Sequence, residues 1–355
     1  MATGGLASVR PSPSTTQGAP VAQFDLPLDQ LEQYSPDVLC PSDLVDFWTT
    51  TVREARQTAD APVLRRVETG MTEVVVDDVT FPGFGGHPIK AWLVRPARHR
   101  VDVDAPLPAV VELLGYGGGR GLPQEHLFWA ASGVAHLVID TRGQGGHWGA
   151  GGETPDPAGR SAGVAGFMTA GIDDPHDHYY RRFYTDGVRA VDAVRSLPGI
   201  DPSRVAVKGV SQGGGGTIAV AALLSMVGDG EAPVVAMPDV PFLTHFRRAV
   251  QIQDSRPYGE ITQYLSVRRD PGVERVVWNT LSYLDGANLA RHATSPALFS
   301  VALMDETCPP STVYAAYNAW GAADKRIDVY PYNNHEGGQA YRLPAQLDWL
   351  RAHLA

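Results

Sequence analysis

Lysine is nearly missing from this chain: Lys90, Lys208 and Lys325 are the only three, and the remaining basic residues are arginine. With 29 basic against 39 acidic residues the formal charge is −10. Such a surplus repels phosphate backbones and anionic headgroups, which argues against a nucleic-acid or membrane partner. Cysteine is as scarce. Cys40 and Cys308 cannot build a disulfide framework or a cysteine-based zinc site, so a reducing compartment is open to the protein. The longest apolar stretch, Ile218 to Val227, falls far short of the ~20 residues that span a bilayer. Residues 1–22 are rich in Ser, Thr, Gly and Pro and lack the apolar centre of a secretory signal. These absences lead us to expect a cytoplasmic protein with a flexible leader over residues 1–23.

What is present is the pattern of a large α/β enzyme. No repeat period and no long linker divide the 355 residues, so a single domain over 24–355 is the simplest organisation. Two alternating segments between Thr72 and Pro96 flank a glycine-rich turn at 82–86, which predicts a β-hairpin. Beyond it the period changes. Short apolar runs at 107–115, 134–140, 204–210, 233–240, 296–303 and 326–332 alternate with helical segments, of which 179–197, 212–227, 308–320 and 338–354 are the clearest. Shorter helices are expected at 42–57, at 124–132 and through 241–292. This spacing predicts a doubly wound, mostly parallel sheet entered by an antiparallel hairpin and preceded by a helical extension. A glycine-dense insertion at about 143–178 is too long for an idle connection and is expected to shape a site or an interface.

Chemistry concentrates at the carboxyl ends of the expected strands. Gly209-Val210-Ser211-Gln212-Gly213 follows the run RVAVKGV and precedes an apolar helical run, the context in which a serine on a tight strand-to-helix turn exposes its hydroxyl. The rival reading of such a pentapeptide is a glycine-rich turn with no chemical role. A serine nucleophile needs a base and an orienting acid, which in this fold follow in the order Ser, acid, His. The strand 296–303 runs into Asp305, with Glu306 as the neighbouring alternative, and the strand 326–332 runs into His335. Of the eleven histidines, His335 alone has both the order and the place; His99, His292 and His353 read as solvated or structural. Two backbone N–H groups should receive the oxyanion, that of Gln212 at the helix start and that of Tyr116 in the loop Gly115–Arg120.

DTRGQG (140–145), GFMTAGI (166–172), the HYYRRFY run at 178–184, GVSQGGG (209–215), LMDETCPPSTVYAAYN (303–318) and YPYNNHEGG (330–338) together resemble the acetyl xylan esterase and cephalosporin-C deacetylase family of carbohydrate esterases. The resemblance runs from about residue 24 to the end and departs at 1–23 and 156–165. It implies the α/β-hydrolase fold and a cytoplasmic serine esterase without metal or cofactor. The implied substrates are acetylated xylo-oligosaccharides and cephalosporin C, small carbohydrate or antibiotic esters. It implies Ser211 as nucleophile, His335 as base, Asp305 as acid, and the Tyr116 and Gln212 amides as the oxyanion hole. Substrate contacts would come from Tyr116, Trp129, Trp148, Pro257, Thr307 and Cys308. It also implies a homo-hexamer, for which segment 178–184 offers either interface material or the base of the insertion.

Several residues carry plainer readings. Cys308 reads as a pocket-wall residue rather than a reactive thiol, and the run Asp173 to His178 as a solvated or interface segment rather than a metal cluster. Arg142 and Gln144 read as structural, with Arg142 binding carbonyls or an acid behind the nucleophile loop. The competing functions are another hydrolase on the same fold, such as a peptidase or a dienelactone hydrolase, and a non-catalytic binding protein. Serine at 211 speaks against the cysteine-dependent lactonases, and all three triad positions speak against the non-catalytic reading.

Overall fold

In the computed structural model, which describes residues 23–58, 60–97, 105–159, 166–228 and 230–354, strands alternate their side chains between two cores. The leader up to residue 22, His99 and residues 160–165 lie outside the described residues. The strands are β1 (Val63–Val67), β2 (Val74–Pro82), β3 (Pro88–Pro96), β4 (Leu107–Leu113), β5 (Ala135–Ile139), β6 (Ile200–Val210), β7 (Ala236–Asp239), β8 (Ala297–Ala302) and β9 (Lys325–Tyr330). They form one sheet in the order β1-β2-β3-β5-β4-β6-β7-β8-β9. Pairing is antiparallel from β1 through β2 and β3 to β5, and parallel from β5 onward.

The helices are α1 (Leu28–Leu31), α2 (Leu44–Gln57), α3 (Phe128–Ala131), α4 (Tyr179–Arg195), α5 (Gln212–Val227), α6 (Phe246–Ile252), α7 (Gly259–Val267), α8 (Pro271–Ser282), α9 (Gly286–Ala290), α10 (Pro310–Ala319) and α11 (Arg342–Ala352). Because side chains alternate along a strand, Ala109, Val111 and Leu113 of β4 face a large core with α2, α4, α5, α9 and α10. Val110 faces the opposite core, shared with Trp129 of α3 and Leu350 of α11. β8 divides in the same way, Phe299 and Val301 to one core and Leu298 to the other. α5 is buried from Gln212 to Leu224 without a polar stripe, which suits a helix enclosed between sheet and helices.

The expected hairpin is β2 and β3, and α5 begins and ends where the sequence places it. β1 was not expected. Its residues VLRRV pair with β2 at the sheet edge, where one row of side chains meets water and hydrophobic alternation is weak. Those arginines serve the sheet: Arg66 and Arg95 bond Asp77, and Arg65, Lys90 and Arg120 bond Asp78, two buried acids in the middle of β2. No helix among the described residues is long and apolar enough to cross a membrane.

Candidate active site

β6 runs into the turn that carries Ser211. Ser211 follows the strand with φ 58° and ψ −117°, a conformation an L-residue adopts only where its surroundings enforce it. The enforcement is backbone contact. A Cβ on Gly209 would stand 2.4 Å from the carbonyl carbon of Gly213, and one on Gly213 would stand 2.0 Å from the Leu113 carbonyl oxygen. Neither position admits a side chain, so the strand turns into α5 within one residue and the serine side chain is left at the carboxyl edge of the sheet.

The loops after β8 and β9 bring acid and base to it. Asp305 is fully buried, and its Oδ1 accepts the Thr307 and Cys308 N–H groups, each at 2.8 Å. Its Oδ2 lies 2.8 Å from His335 Nδ1. An ionised carboxylate can only accept, so Nδ1 carries the proton and Nε2, 3.0 Å from Ser211 Oγ, is free to accept the serine proton. Asn334 joins the two loops, its Oδ1 accepting from the N–H of Glu306 and of His335. Glu306 is exposed, and of the two acids it is Asp305 that hydrogen-bonds His335.

The loop after β4 is bound to the Ser211 turn through Gln144. Its Oε1 accepts the Gly117 N–H at 2.6 Å, and its Nε2 donates to Gln212 Oε1 at 2.9 Å. Gln212 Nε2 in turn donates to the Leu114 carbonyl. Asp140, at the end of β5, accepts from the N–H of Arg120, Thr141, Glu153 and Thr154, pinning the same loop to the insertion. The Tyr116 N–H donates to no acceptor among the described residues, and the Gln212 N–H is a first-turn helix donor without an intrahelical partner.

A cavity of about 990 Å³ opens at Ser211 and His335, with Tyr116, Trp148, Pro257 and Thr307 in its wall. Its position at the carboxyl ends of parallel strands, around a serine-histidine-aspartate relay, is that of a hydrolase site. The family model for acetyl xylan esterase (AXE1) matches residues 21–353. The chain belongs to the acetyl xylan esterase family. An acetyl xylan esterase from Paenibacillus sp. R4 is similar in structure, with a TM-score of 0.83 and 39% identity over 92% of this chain and 99% of that one. Acetyl xylan esterase 1 from Thermoanaerobacterium sp. JW/SL YS485 follows at 0.81 and 30%, with the same coverage. An acetyl esterase of Xylanibacter ruminicola is 27% identical over 320 residues, 85% of this chain; the chain spans 66% of that relative's length. Family membership supports a carboxylic ester hydrolase on the α/β-hydrolase fold.

Of the pocket residues that the family resemblance implies, Trp129 lies elsewhere and Cys308 stands behind the cavity wall. Trp129 is buried in the core between the sheet and α11, with Val110, Met237 and Leu350, on the face opposite the large helical core. A large aromatic fills that interlayer space as readily as a pocket wall, and sequence does not distinguish the two. Cys308 is fully buried behind Ser211, its thiol against the serine and Asp305, and burial pushes its pKa well above the ordinary thiol value. It backs the site rather than lining it. Conversely, His147, Phe167, Tyr179, Arg256 and Glu260 line the cavity and were not singled out. The one sequence signal for Glu260 is an acid set between the buried Tyr258, Ile261 and Tyr264 on a helix.

Arg142 and Gln144 divide the RGQ motif between two tasks. Arg142 is wholly buried and bonds Asp186 of α4 through two nitrogens, while Gln144 joins the loop after β4 to the Ser211 turn. The aromatic, arginine-rich segment 178–184 is buried inside the chain as the start of α4, so it forms the base of the insertion and offers no interface.

Among the described residues, the run 173–178 forms no metal-ligand cluster. His178 caps α4, accepting the Tyr180 N–H on Nδ1 and facing the Met168 carbonyl with Nε2. Burial lowers its pKa to about 3, and burial lowers that of His245 to about 4. An unfolded histidine takes up its proton near 6.5, so between about pH 6.5 and 4 the unfolded chain binds more protons and stability falls as pH drops. Asp285, raised by burial to about 6, acts in the opposite sense between about pH 6 and 4, because there the folded chain holds the extra proton. Burial likewise lowers His126 and His292, so four histidines stand against two raised carboxyls, Asp285 and Glu260, and a raised His353, which leaves a net loss on acidification. Thermal denaturation from about pH 7 to 4.5 should show Tm falling, less steeply in His178→Asn, which keeps a capping acceptor without the titration. An unchanged slope in that variant would remove His178 from the account.

Proposed function

We propose that this protein removes acetyl groups from small esters, acetylated xylo-oligosaccharides first and cephalosporin C among the alternatives, through an acetyl-serine intermediate. The observation that carries the reading is the continuous relay from Asp305 through His335 to Ser211 at a cavity walled by Trp148, Pro257 and Thr307. Ser211 Oγ passes its proton to His335 Nε2 and attacks the acetyl carbonyl. The oxyanion forms against the Tyr116 and Gln212 amides, and its collapse breaks the ester C–O bond, the departing sugar oxygen taking the proton from His335 to become a hydroxyl. Water then repeats the sequence and releases acetate. Asp305 stays ionised throughout and stabilises the imidazolium.

Rings and a proline beside the nucleophile leave room for a short acyl group, while the wide cavity suits a bulky alcohol. Comparing nitrophenyl acetate with the octanoate, and acetylated xylo-oligosaccharides with glucose pentaacetate and cephalosporin C, should show strong preference for acetyl and tolerance of the alcohol. Trp148→Ala should shift preference toward longer chains. Octanoate cleaved as efficiently as acetate would refute this pocket. The hexamer implied by the resemblance remains part of the proposal, resting on surfaces other than 178–184, and light scattering reads it directly.

A further inference from the structure

Glu260 of α7 is an acid in an unusual place. It is only 2% exposed, it lines the cavity, and among the described residues no cation forms an ion pair with it. Its Oε1 accepts the Tyr116 hydroxyl at 2.6 Å, and its Oε2 accepts the Met168 N–H at 3.1 Å. The Phe167 N–H donates to the Tyr116 hydroxyl oxygen at 3.0 Å, which closes the ring of bonds. Gly166 is what lets the carboxylate reach this far: its φ is +136°, and a Cβ there would stand 1.9 Å from Oε2. Burial pushes the carboxyl above its ordinary range, against the hydrogen bonds from Tyr116 and Met168 and the lesser pull of Arg256 and His147.

A buried acid without an ion pair is costly, and packing alone would be served better by an apolar or amide side chain. The group that this acid holds is the side chain of the residue whose amide faces the oxyanion. Tyr116 is fastened at two points, its carbonyl by the Trp148 indole N–H at 2.7 Å and its phenol by Glu260. We propose that Glu260 is a positioning residue for the oxyanion hole, holding the Tyr116 phenol so that the Tyr116 N–H is aimed before substrate arrives. The proposal rests on the serine-esterase reading above. Catalysis gains from a donor already in place, and displacement of one by a fraction of an ångström weakens the transition state more than the bound ester.

The test compares Tyr116→Phe, Glu260→Leu, the double variant and Ser211→Ala. Tyr116→Phe removes a single oxygen, so it decides the matter even where Glu260→Leu fails to fold. With nitrophenyl acetate, the nitrophenolate burst rate and kcat should both fall ~10- to 100-fold in each single variant, with KM little changed. The double variant should be no worse than the weaker single, because both substitutions break one bond. Affinity for a phenylboronic acid, which forms a tetrahedral adduct on the serine, should fall in proportion to kcat. A lowered Tm with parental kcat and boronate affinity in Tyr116→Phe would make the contact merely structural and overturn the proposal. If Ser211→Ala is inactive while that holds, the esterase reading survives alone; if Ser211→Ala turns over like the parent, that reading falls and this proposal with it.

Discussion

Ser211→Ala and His335→Ala should each lower kcat for acetyl-ester hydrolysis by at least ~10³, with Asp305→Asn costing somewhat less. The ranking follows from the bonds. In the proposed mechanism Ser211 supplies the attacking oxygen and His335, 3.0 Å away, the base. Asp305 acts through orientation: as asparagine it would still accept the Thr307 and Cys308 N–H groups on one atom, but its amide would present a donor to His335 Nδ1. That favours the tautomer with the proton on Nε2, where it blocks proton transfer from serine. Steady-state rates on purified protein, with circular dichroism to show the fold retained, check all three. Parental turnover in Ser211→Ala would sink the assignment.

The largest expected loss of stability lies away from the reacting atoms. Arg142→Ala should cost about 3–5 kcal/mol, because it strips a wholly buried Asp186 of its cation. Arg142 meets Asp186 through Nε at 2.5 Å and Nη2 at 2.6 Å, and reaches Asp156 at 3.3 Å. Asp186 also accepts the Phe84 N–H, so its carboxylate ties the hairpin turn, α4 and the insertion together. Against a total stability of about 5–15 kcal/mol, such a loss is seen as low soluble yield and a lower denaturant midpoint. Activity should suffer as well, since Gln144, two residues on, holds the Gly117 amide beside the oxyanion site. A midpoint equal to the parent's would show that the buried pair contributes little.

Much of this was legible because it depends on neighbours in the chain. The hairpin, the central helix from Gln212 to Val227 and the glycine-flanked serine are products of local period and local sterics. The order serine, acid, histidine at the ends of β6, β8 and β9 then follows from topology. β1 was not legible, since an edge strand with two arginines carries no apolar alternation. Neither was the difference between Trp148, which lines the cavity, and Trp129, which fills the opposite core, because both are large aromatics near strand ends.

By itself, then, the sequence determined which residues could react and on which turns they stand: a strained serine turn admits only glycine at 209 and 213, and that constraint is written in the chain. Only the tertiary structure decided which buried polar groups meet. Glu260 and Tyr116 are 144 positions apart, Arg142 and Asp186 are 44, and Gln144 and Gln212 are 68. Each pair is joined by side chains whose positions are set by the packing of helices and insertion on the sheet. No local rule of period or propensity reaches across such separations, so the residues that hold the site in shape emerge only when the layers are assembled.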